Sequence, residues 1–112
     1  MKGDETRKAY LAIVPPDGGE MDYQIETDLI TIPKSGEYLY LSEHIETGLR
    51  AFLVRNVFHQ GKMVKEGKAT IESIILEVEF IEHPLQSESH KQSVEMYKAR
   101  GYKVKEALAT AY

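Results

Sequence analysis

The ten residues from 73 to 82, SIILEVEFIE, restrict the fold more than any other stretch of this chain. Ile74, Leu76, Val78 and Phe80 fall on one face of an extended backbone, and Glu77 and Glu79 fall on the other. Period-two patterning of this kind predicts an antiparallel strand with one dry face and one wet face. Pro84 has no N–H to give to a ladder and predicts the end of the strand.

Four earlier segments carry strand signals of their own. KAYLAIV, residues 8–14, is a nearly continuous apolar run that suits a strand covered on both faces. PPDGGE breaks it. YQIETDLITI puts Tyr23, Ile25 and Leu29 on one side, and PKSGE turns the chain through Pro33 and Gly36. YLYLS is a short strand, and EHIETG turns again. LRAFLVRNVFHQ is a longer strand, with Phe52, Val54 and Phe58 expected on one face and Leu53, Arg55 and Val57 on the other. The hairpin that follows is expected to turn near Val64, with His59 opposite Thr70.

After Pro84 the pattern changes to a helix. Ser89 followed by Gln92 reads as a capping box, which predicts a helix from about 90 to 100. Gly101 is a left-handed stop, and Tyr102 is expected to fold back on Tyr97 in a Schellman contact. Val94 and Tyr97 mark the buried side. Beyond it, Tyr102 and Val104 alternate with Lys103 and Lys105 as a short last strand, although KEALATAY also suits a second helix.

Taken together, the pattern predicts a mainly β, α+β domain of five to six antiparallel strands and one C-terminal helix. A small barrel, SH3-like by first choice, or a strongly curved antiparallel sheet is the first expectation, and an open α+β sheet, with the last strand joining through the helix, is the second. At 112 residues the chain has the size of one domain, residues 7–112, preceded by a frayed polar stretch at 1–6. With no cysteine in the sequence, disulfides and thiolate metal sites are excluded. The N-terminal stretch does not read as a signal peptide, and no apolar run approaches the roughly 20 residues of a membrane span. A cytoplasmic protein without a membrane partner is the expectation.

The net charge of −4 is distributed in blocks. Residues 1–32 carry −4, residues 33–68 carry +2, residues 69–89 carry −5 and residues 90–112 carry +3. A two-signed surface suits a protein partner or self-association.

Chemistry-bearing motifs are few. QGKMVKEGKAT resembles a P-loop only superficially: five residues separate Gly61 from Gly67 where the motif needs four, and Ala69 stands where a hydroxyl must meet Mg²⁺. The serines lie in turns, caps or a strand, none in a nucleophile elbow, and no carboxylate pair suggests an acid beside a base. Catalysis is therefore not expected, and neither is a cofactor. Three binding readings stay open. The favoured one is a hairpin finger whose apolar tip, Met63 and Val64, enters a partner while Lys62, Lys65 and Lys68 meet acidic groups. The alternative is single-stranded nucleic acid on Lys91, Tyr97, Lys98, Arg100, Tyr102, Lys103 and Lys105, by stacking and phosphate contact. The third is a metal-dependent site at His44 and His83, joined by His90.

Overall fold

The computed structural model describes residues 7–42 and 44–107. It contains five strands and a helix: β1 (Arg7–Ile13), β2 (Tyr23–Leu29), β3 (Tyr38–Ser42), β4 (Leu49–Lys65), β5 (Lys68–Phe80) and α1 (Glu88–Ala99). The strands form a single sheet in the order β2-β1-β5-β4-β3, strongly curled into a half-barrel. Mainly β, curved, with one helix is thus the architecture that the alternation of apolar residues implied. Among the described residues no helix is long and apolar enough to cross a membrane.

Pairing departs from the expected run of antiparallel strands at one place: β1 lies parallel to β5, with Ala9 opposite Ile74 and Ile13 opposite Val78. Both strands are apolar at this level, and bringing them together buries Leu11, Ile13, Ile74, Leu76, Val78 and Phe80 in one core with Phe52 and Val54. Ile25 and Leu29 of β2 and Leu39 and Leu41 of β3 pack against it from the two sheet edges, which accounts for the curl.

A β-bulge at Arg55 reorders β4. Val54 stands opposite Val78 while Asn56, two residues on, stands opposite the adjacent Glu77, so one extra residue flips the alternation. Val57 therefore rejoins the core, and Phe58, expected beside Phe52 and Val54, turns outward and is half exposed.

The helix begins earlier than its capping-box reading suggested. Ser87 is the N-cap, its hydroxyl oxygen accepting from the His90 N–H, and Ser89 instead gives its N–H and hydroxyl to the Glu46 carboxylate. A carboxylate arriving from a distant turn thus serves an orphan donor that a local glutamine was expected to serve. The C-terminal stop is as predicted: Gly101 has φ 95°, its N–H reaches the Lys98 carbonyl, and the Tyr102 N–H reaches that of Tyr97. The rings of Tyr97 and Tyr102 meet edge to face at 5.9 Å. The last strand does not form. Residues 102–107 run beside the sheet with an isolated bridge between Glu106 and Glu82, and residues 108–112 lie outside the described residues.

Candidate interaction site

Strand β4 continues five residues beyond its expected end at Gln60, and β5 starts five before Ser73. Between them they extend the hairpin into an arm that leaves the body of the sheet. Lys62 faces Thr70, Met63 faces Ala69, and Lys65 faces Lys68 across a two-residue turn, Glu66–Gly67, where Gly67 takes φ 77°. The turn falls two residues later than expected, so His59 stands opposite Ile74 and not Thr70. Gly61 is required here: a Cβ at this position would lie 2.0 Å from the Thr70 carbonyl oxygen. A signal for the arm was available in the β-branched pair Thr70 and Ile71, but the glycines and lysines around it read as a loop.

On this arm Met63 is 65% exposed, Val64 55%, Phe58 51% and Ile71 48%. The expected tip residues are therefore together and outward, with Lys62, Lys65 and Lys68 exposed among them. Lys62 lies 3.7 Å from Glu72 across the ribbon. Backbone groups matter as much as side chains. β3 pairs with β4 only from Leu49 to Leu53, and residues 36 and 37 bond Val54. Among the described residues no strand pairs with the outer edge of β4 from Asn56 to Lys65. An open strand edge is a template for another strand.

At the root of the arm, a hollow of about 420 Å³ is lined by Ile32, Pro33, Lys34, Ser35, Val57 and His59. A second hollow, of about 290 Å³, lies between Glu82, His83, Pro84, Gln86, Glu106 and Ala107.

Opposite the dry face, a carboxylate expected on the wet side is sealed in. Glu79 is fully buried, its Oε1 accepting from Arg55 Nη1 at 2.7 Å and from the Asp17 N–H at 3.2 Å, and its Oε2 from Lys105 Nζ at 3.0 Å. The covering pieces are the turn that carries Asp17, itself at φ 72°, and the segment after the helix. Glu77 remains partly exposed, paired with Asn56 at 2.6 Å. The cluster is a tie between chain segments: every carboxylate oxygen of Glu79 faces a donor.

The three candidate histidines sit in different surroundings. His90 is buried, Nε2 lying 2.9 Å from the Ile81 carbonyl oxygen, with the ring edge-on to Phe80. His83 packs edge-on to Tyr40 at 4.7 Å, and its Nδ1 accepts the Leu85 N–H. His44 is exposed in the preceding turn. Among the described residues no three His, Cys, Asp or Glu side chains are placed to hold a metal ion.

The basic C-terminal set is partly committed. Lys98 pairs with Glu82 at 2.8 Å, an interaction that raises its pKa, and Lys105 bridges Asp17 and Glu79, which raises its own. Tyr97 is buried and gives its hydroxyl to Asp22. Burial first, and then that bond, push its pKa upward. Arg100 lies over the Tyr97 ring at 6.0 Å; Tyr102 is 39% exposed, and Lys91 and Lys103 are exposed. Comparison with protein-family profiles, with curated proteins and with solved structures finds no match for this chain.

Proposed function

We propose that this chain is a non-catalytic protein-interaction or assembly module of the cytoplasm, built as a small barrel-like scaffold that presents the β4–β5 arm. The observation that carries the reading is the arm itself: an isolated ribbon with apolar side chains about half exposed and an open hydrogen-bonding edge. A two-stranded ribbon is marginal in water on its own. Keeping one projecting, with Met63 and Val64 at its end, costs stability that a bound partner returns. Lys62, Lys65 and Lys68 keep the arm soluble while it is free and favour an acidic rim on the partner.

Placing a photoreactive residue at Val64 in the producing cells tests this reading. A discrete covalent adduct to a protein is expected on irradiation. An arm that labels nothing but solvent ends the proposal.

Single-strand nucleic-acid binding through the C-terminal basic segment is the weaker alternative, because Lys98 and Lys105 already face carboxylates and the Tyr97 ring is covered. A salt-dependent oligonucleotide gel shift separates it from the first.

A further inference from the structure

Resting on the arm as the binding element, we propose that its partner is a second copy of this chain. In this arrangement the outer edges of the two β4 arms pair antiparallel about a two-fold axis at Gly61. The first ground is the chemistry of the vacant edge. Ten residues of extended backbone, 56–65, lack a neighbouring strand among the described residues, and what satisfies such an edge is another strand.

The second ground is register. A two-fold axis normal to a sheet sets one residue opposite its own copy, so that residue numbers in facing positions add to an even constant. With Gly61 on the axis, Gln60 faces Lys62 and His59 faces Met63, and the bulge at Val64 and the turn at Glu66 end the regular ladder beyond them. Each pair occurs twice, and no like charges meet. Shifting the axis by one residue, to Lys62, sets the two Lys62 side chains against each other, and directly opposed like charges destabilise a sheet.

The third ground is shape. Val57 and His59 line the hollow at the arm's root together with Ile32 and Pro33. Met63 shares their parity on β4, so the Gly61 register brings the partner's Met63 to the mouth of that hollow. A flexible thioether side chain suits an irregular apolar recess of this kind. The same step lays Phe58 and Val64, two of the exposed apolar residues of the arm, along the new seam. The result is a continuous ten-stranded sheet in an isologous dimer.

The absence of native cysteine makes the test direct. Q60C and K62C variants, mixed and mildly oxidised, are expected to give a heterodisulfide, because facing Cβ atoms in a ladder are about 4.5–5.5 Å apart. Each variant alone is expected to cross-link far less. Light scattering of the unmodified chain is expected to give twice its 12.7 kDa, and M63D, at an exposed position, is expected to return it to 12.7 kDa with unchanged circular dichroism. A monomer at every concentration with no heterodisulfide overturns the second-copy proposal. If Val64 still labels another protein in that case, the arm remains the binding element and only the identity of its partner is wrong.

Discussion

Arg55 and Glu79 form a charge pair across the β4–β5 ladder, Nη1 to Oε1 at 2.7 Å, in which the guanidinium is partly exposed and the carboxylate is completely buried. The bulge that adds Arg55 to β4 is what aims it there. Removing one member of a buried pair leaves a charge without its counterion and typically costs 3–5 kcal/mol. Lys105 still serves the other oxygen, so R55M is expected to cost about 3 kcal/mol, at the lower end of that range. Urea unfolding measures it. The triple change R55M/E79L/K105M removes the stranded charge and is expected to regain most of the loss.

Glu46 predicts an acid limb in the stability curve. The backbone N–H and hydroxyl of Ser89 hold its carboxyl below the usual range. A carboxyl depressed in the folded state contributes stability that is present above its unfolded pKa, near 4.3, and lost as pH falls through the folded value. Chemical unfolding at a series of pH values is expected to show E46Q less stable than the parent at neutral pH. The two are expected to converge as pH drops below about 4.

Tyr97 gives the opposite limb. Its folded pKa lies above the ordinary value of 10, so the contribution is whole below pH 10 and falls away as the unfolded phenol ionises above it. Absorbance titration of the seven tyrosines is expected to show Tyr97 as the last to ionise, at alkaline unfolding. Y97F is expected to abolish that late step and to cost about 1–3 kcal/mol for the lost bond to Asp22.

Gly48 and Gly101 share positive φ, at 109° and 95°, but not surroundings. A Cβ on Gly101 meets nothing within 4 Å, whereas one on Gly48 would lie 2.6 Å from the Ser87 Cα. G101A is expected to cost about 1–2 kcal/mol, from backbone strain alone. G48A should cost clearly more, because it also pushes the N-cap away from β4. Thermal unfolding of the two variants side by side measures the difference.

Strand positions and the helix stop were legible because they depend on neighbouring residues. Alternation from Ile74 to Phe80 marks a dry face whatever lies against it, and Gly101 ends a helix by its own backbone freedom. Long-range partners were not legible. Nothing local to Ser89 announces Glu46, 43 positions away, and nothing local to Glu79 announces Lys105. The same limit hid the bulge at Arg55, whose side chain meets a carboxylate 24 positions away. At the site, the tip residues were visible as an apolar pair among lysines. The length of the ribbon that carries them was not, since glycine and lysine depress strand propensity wherever they occur.

The parallel seam between β1 and β5 has a consequence for synthesis. Ile13 and its seam partner Val78 are separated by most of the chain, so the β1–β2 hairpin emerges from the ribosome long before the strand that seals its inner edge. At roughly 5–20 residues per second, that hairpin waits several seconds with Leu11 and Ile13 uncovered. Nascent chains stalled within this interval should be the form that chaperones hold most tightly, and they should let go once β5 has cleared the exit tunnel.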